Sequence, residues 1–403
     1  MQYSRFALLL VILLLFACSP SPAPSPPAPI PFTNTPTQQS EIQNLKSEIS
    51  IGWAYEAYPE ASAPQMLAEM TRMRDGGANS IWIGHNNPGD VDAGKVEPGL
   101  SFAVWYALEH ETGPRQAQAS QMANAVRRAL DSAKAAGLKV VLPIGYQIMM
   151  GATWNALHPD ALRKTFDGQL LQIYGSPPTA SPYAPAYRAD IAEYYKWIER
   201  EWVEPYRGII EMLSLSDEPQ GGDYSTAARD EFARRYGKTM DALALDEQWK
   251  LGEFQAGVVA DFASWSAGDW KALDPRILTT ISFHSGDART RPGLPEVERL
   301  FSQTPSNFVV AFDTYLHDDL PTKPATDGEI AQLELFLTTL GHYSKVYHKP
   351  LMLWGAANTW GLAQQSDSPL DTADAATNLL MLYDLPTRVG GEVRGIYAWN
   401  YNV

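Results

Sequence analysis

An α/β chain folded as a (β/α)8 barrel (TIM barrel) with enlarged βα loops is what this sequence predicts, from three features. Eight short apolar runs alternate with longer amphipathic stretches from Ser50 onward, and parallel strands need such long crossovers. The runs are apolar throughout, as suits strands buried on both faces. Hydrophobic residues make up 45% of the 403 and charged residues 19%, enough to fill a large core.

The elements follow in order. Arg5 precedes an apolar run from Phe6 to Phe16 that ends at Ala17-Cys18. Eleven such residues are too few for a bilayer, which needs about 20, but they suit a signal-peptide core. Residues 1–17 are therefore expected to be a signal peptide. Residues 18–46, where Pro alternates with Ser and Ala from Ser19 to Pro36, are expected to be an extended tether. Residues 47–403 hold the barrel. Its strands are expected at Ile51–Tyr55, Ser80–Gly84, Lys139–Ile144, Ile210–Leu215, Leu278–Phe283, Phe308–Phe312, Pro350–Trp354 and Gly395–Trp399. Helical patterns fall at Pro64–Asp75, Ala117–Ala136, Ala189–Glu201, Ala227–Tyr236, Leu245–Leu273, Gly328–Val346 and Thr372–Leu385. The long loops, Asn86–Arg115, Tyr146–Arg188 and the stretch after Pro219, all follow strands, on the face where barrels carry their sites. No helical pattern follows the eighth run, so a closing helix is expected to be missing or supplied from elsewhere.

Composition narrows the partners. With 31 Lys+Arg against 46 Asp+Glu, a formal charge of −15, the chain is ill suited to bind nucleic acid. A single cysteine excludes an internal disulfide framework and a multi-thiolate metal site. No His-x-His or His-x-x-x-His spacing occurs, so no metal is expected. Without Gly-x-Gly-x-x-Gly or a phosphate loop, no nucleotide cofactor is implied, and no other cofactor is expected.

Strand four runs into Ser216-Asp217-Glu218-Pro219. Asp217 could cap the next helix, with Pro219 in its first turn. At the C-terminal end of a barrel strand, adjacent carboxylates also suit glycosidic cleavage, which needs a carboxylic acid to protonate the leaving oxygen. This motif, with Phe232–Gly237 and Leu243–Trp249, resembles clan A glycoside hydrolases, and most of all the catalytic barrel of family 42 β-galactosidases. Asp167-Gly168 and Ser181–Arg188 are similar to the same family, as are an aromatic after strand six (Tyr315) and one in strand eight (Trp399). The resemblance implies a retaining glycosidase with Glu218 as acid/base and a carbohydrate as substrate. Leu15-Phe16-Ala17-Cys18 resembles the bacterial lipobox, which implies a lipidated Cys18, a membrane anchor and an extracytoplasmic location.

Two departures stand out. The clan has Asn where this chain has Asp217, and its nucleophilic Glu should end strand seven. Here that segment, Lys349–Asn358, carries no carboxylate. Three routes remain open. Asp-Glu-Pro resembles the motif of family 123-type hexosaminidases, in which Asp217 would orient a 2-acetamido group that attacks the anomeric carbon. Alternatively Asp313 or Glu56 could activate water for inversion, if it lay about 6.5–9.5 Å from Glu218. Thirdly, the barrel could have kept sugar binding without catalysis.

Sugar rings pack their C–H faces on aromatic planes and hydrogen-bond to polar tips. Tyr146, Trp354, Trp360 and Trp399 are candidates for this, and His85, Asn86, His284 and Asn358 for polar contact.

Overall fold

A computed structural model of the chain describes residues 49–55, 60–84, 99–172, 177–285, 295–314, 326–356 and 369–399. The expected signal and tether, with Cys18, lie outside them. Eight parallel strands pair in chain order and close β8 onto β1: β1 (Ser50–Tyr55), β2 (Ser80–Ile83), β3 (Lys139–Pro143), β4 (Ile210–Asp217), β5 (Leu278–His284), β6 (Phe308–Asp313), β7 (Leu351–Ala356) and β8 (Val393–Trp399). The (β/α)8 expectation holds, and each run lies within a residue or two of its strand.

Alternation decides which side chains fill the ring. Ala54, Trp82, Val141, Met212, Val309, Ala311, Met352, Trp354 and Tyr397 form one buried cluster. Their strand neighbours, such as Tyr55, Ile81, Val140, Leu213, Val310 and Leu353, pack into a second cluster with the helices. Burying each such side chain contributes about 1.5–3 kcal/mol. Low in the ring, Gly52 and Gly395 leave room for the Tyr397 ring, which would come within 2.8 and 2.9 Å of a Cβ at either position. The Tyr397 hydroxyl is 2.7 Å from Ser80 Oγ, and Ser80 and Ser50 both donate to Glu211 Oε1, at 3.0 and 2.7 Å. Trp354 stands above, edge-on to Trp82 at 4.6 Å and 5.3 Å from Tyr397 between centroids.

The helices are α1 (Ala63–Asp75), α2 (Phe102–His110), α3 (Pro114–Ala136), α4 (Ala152–Leu157), α5 (Pro185–Ile198), α6 (Thr226–Tyr236), α7 (Gln248–Leu273), α8 (Pro295–Gln303), α9 (Asp327–Tyr347) and α10 (Pro369–Arg388). Helices α3, α5 and α10 begin three or four residues before their expected starts, each at a proline. Proline suits a first turn, where its missing N–H leaves no bond unmade. Three helices were not expected: α2, α8 and the short α4, which lies within the expected loop Tyr146–Arg188. Helix α2 is apolar nearly all round, so no period marks it, and Ser101 caps it by accepting from Val104 N. Helix α8 is short, but Val297, Leu300 and Phe301 are buried at helical spacing.

Candidate active site

The register of β4 sets up the site. Ser214 pairs with Thr280, but Ser216 pairs with Ile281 and Asp217 with Ser282, so an irregularity between Ser214 and Ser216 shifts the ladder by one residue. A one-residue slip moves every later side chain to the other face. Met212 faces the ring interior, so unbroken alternation would send Asp217 out towards the helices. The shift puts it on the inward side, in register with Ser282.

Ser282 Oγ donates to Asp313 Oδ1 at 2.8 Å. Asp313 ends β6 and is 6% exposed, and its carboxyl is hydrogen-bonded to that of Glu218. Three carboxyls from β4 and β6 therefore meet over the end of β5. Burial raises the Asp217 pKa to about 8, helped by the charge of Glu218. Burial also pushes Asp313 well above the ordinary carboxylate range, helped by the charges of Asp217 and Glu218 and by the Glu218 hydrogen bond, while Ser282 opposes the rise. Both aspartic carboxyls are thus held above the range of a solvated side chain, because burial penalises their charged forms.

The backbone around the cluster is strained. Glu218 has φ 43°, Gln147 φ 46° and Ile148 φ 59°, a region that costs an L-residue roughly 1–2 kcal/mol and is uncommon for a β-branched one. Hydrogen bonds hold them there. Glu218 N donates to Ser282 O at 2.8 Å and Gln147 N to Asp217 O at 2.9 Å. Such strain collects at functional sites.

Two other expected site residues, Tyr146 and His284, fall near the cluster, and a third, Trp399, ends another strand. Tyr146 follows β3, half-buried, and its hydroxyl accepts from Gln147 Nε2 at 3.3 Å. His284 ends β5 exposed, in register with Asp313, on the wall of a cavity of about 470 Å³ shared with Pro219, Gln255 and Glu296. Trp399 ends β8 opposite Ala356 of β7. Trp354 departs from expectation: at 2% exposure it is packed between Trp82 and Tyr397, so its faces are closed to a sugar. Being on the inward side of β7, it fills the ring. Asp217 caps no helix, because α6 starts at Thr226 with Ser225 as its cap. Asp313 also fails the condition for an inverting pair, since its hydrogen bond to Glu218 leaves no width for water and an anomeric carbon. Glu56, His85, Asn86, Tyr315, Asn358 and Trp360 lie outside the described residues.

Ser282 and Gln147 belong to the site but were not anticipated. A signal existed for Ser282: Thr280 and Ser282 place hydroxyls on alternate positions of the strand, two residues apart on one face. Gln147 acts through its backbone, which side-chain chemistry does not reveal.

Comparison with solved structures finds the same fold in glycosidases. The chain superposes on the β-galactosidase of Marinomonas ef1 with a TM-score of 0.58 and 14% identity, covering 87% of this chain and 54% of that one. For the β-galactosidase of Rahnella sp. R3 the TM-score is 0.57 at 14% identity, over 88% and 50%. For the catalytic domain of the Paenibacillus polymyxa β-amylase it is 0.55 at 11% identity, over 87% and 91%. The chain thus spans about half the length of these β-galactosidases. No protein-family model matches the chain, and no curated protein matches it.

Proposed function

We propose that this barrel is a glycoside hydrolase of oligo- or polysaccharides, with Glu218 as general acid/base. The observation that carries the reading is the gathering of Glu218, Asp217 and Asp313 at the C-terminal end of the strands, where burial disfavours charge on the two aspartates. Cleavage requires a proton on the leaving oxygen as the bond from that oxygen to the anomeric carbon breaks. Glu218 is the more exposed of the Asp313–Glu218 pair, so it is the one placed to give a proton to the leaving oxygen. The developing positive charge at the anomeric carbon is then met by a new bond to oxygen. In the substrate-assisted route that oxygen is the carbonyl of a 2-acetamido group, oriented by Asp217, and water later opens the cyclic intermediate with Glu218 as base. This route needs no carboxylate on β7, where the chain has none from Leu351 to Ala356. The fold shared with β-galactosidases and a β-amylase supports carbohydrate as the substrate class.

The test is a panel of aryl glycosides with and without a 2-acetamido group, incubated with wild type and Glu218→Gln. Wild type is expected to turn over at least one 2-acetamido substrate, and the variant to lose about 10²- to 10⁴-fold in kcat/KM. NMR of the first-formed anomer should show retention. Sugar binding without turnover in either protein would replace the hydrolase by a binding protein. We also propose that the protein is held on the extracytoplasmic face of a bacterial membrane through lipid on Cys18, a reading supported by the sequence around that residue.

A further inference from the structure

Phe166 is 74% exposed and Leu170, beside it, 44%, in a chain whose other aromatics are mostly buried. Phe166 sits in a tight turn between β3 and α5. Lys164 and Leu170 form an antiparallel bridge, Thr165 N donates to Gln169 O at 2.9 Å, Gly168 N donates to Thr165 O at 3.0 Å, and Gly168 has φ 83°. The turn is fastened to the segment that follows Glu218. Arg163, fully buried, donates to Gln220 O at 2.7 Å, Gly221 O at 3.2 Å and Thr179 Oγ1 at 2.8 Å. Tyr224 N donates to Lys164 O at 2.9 Å, and the Phe166 and Tyr224 rings meet edge-on at 5.5 Å. Tyr224 lies six positions beyond Glu218, at most about 20 Å of chain.

A solvent-facing aromatic ring in a hydrogen-bonded turn, with Asp167 next in sequence and Gln169 three residues on, has the makings of a sugar platform: a flat face for pyranose C–H groups, with polar side chains in the same turn, of which Asp167 accepts from Thr165 Oγ1. We infer that Phe166 stacks a sugar ring of an extended glycan, remote from the bond that is cut, so the substrate is a chain of several units. The inference rests on the glycosidase reading above and adds the length of the substrate to it. A membrane is a poorer occupant, because Asp167 adjoins the ring and the chain carries a charge of −15.

The experiment compares wild type, Phe166→Ala and Phe166→Trp on two substrate pairs. One pair is 4-nitrophenyl N-acetyl-β-glucosaminide and chitohexaose; the other is 4-nitrophenyl β-galactoside and β-1,4-galactohexaose. The ratio of kcat/KM for the hexasaccharide to that for the aryl glycoside should fall three- to tenfold in Phe166→Ala and be kept in Phe166→Trp. An unchanged ratio overturns the platform and leaves the hydrolase standing. If wild type cleaves none of the four, the hydrolase reading fails, and calorimetric titration of the hexasaccharides then decides the platform alone. Binding weakened by Phe166→Ala upholds it; absent or unchanged binding overturns it. Loss of a dimer in sedimentation, or of vesicle binding, in Phe166→Ala with no sugar effect also overturns it, in favour of a second copy or a membrane.

Discussion

Asp217 and Asp313 are carboxyls placed where ionisation is expensive. Both have pKa values above those of an unfolded chain, so both bind protons more tightly when folded. Their contribution to stability is then complete below about pH 4 and lost as pH rises through about 8 and beyond. We expect the wild-type Tm to fall across that window once other titrations are subtracted. Asp217→Asn, which cannot ionise, should flatten the fall and raise Tm at pH 8 while lowering activity. Thermal unfolding of both proteins from pH 4 to 9 checks this; parallel curves would mean the carboxyl is solvated. The motif Asp217-Glu218-Pro219 could be read from sequence because adjacent acids after an apolar run are conspicuous. That Asp313 meets them could not be read, because the contact depends on Ser282, one strand over and far away in the chain.

At the scale of the element, β4 carries an extra residue at Glu211 against β3 and a register shift before Asp217 against β5, and the left-handed Glu218 follows the strand directly. The last two serve to aim carboxyls inward. Glycine adopts φ 43° without penalty, so Glu218→Gly should be more stable than Glu218→Gln by about 1 kcal/mol, though both are inactive. Urea unfolding of the two variants measures the difference, and equal midpoints would remove the strain argument. Strands were legible because runs such as Phe308–Phe312 are apolar without a break. Irregularity was not, since Leu215 and Ser216 read as ordinary strand residues and only pairing with β5 exposes the extra one. Helix α8 was overlooked although Val297, Leu300 and Phe301 carry its period, because nine residues give a weak signal.

For the molecule as a whole, the described residues from Ile49 onward form one compact unit. If Cys18 carries lipid, Cys18→Ser should move the protein from the membrane fraction to the soluble fraction of a bacterial expression host, with the proposed activity of the barrel unchanged. Labelling with radioactive palmitate should mark wild type alone. Equal distribution of the two proteins would refute the anchor.

Trp82, Trp354 and Tyr397 stopper the ring from below, and the web of Ser50, Ser80 and Glu211 lies on the same side. Traffic at the carboxyl cluster is therefore one-ended. A molecule that reaches the cluster has no path down the barrel axis past these three rings.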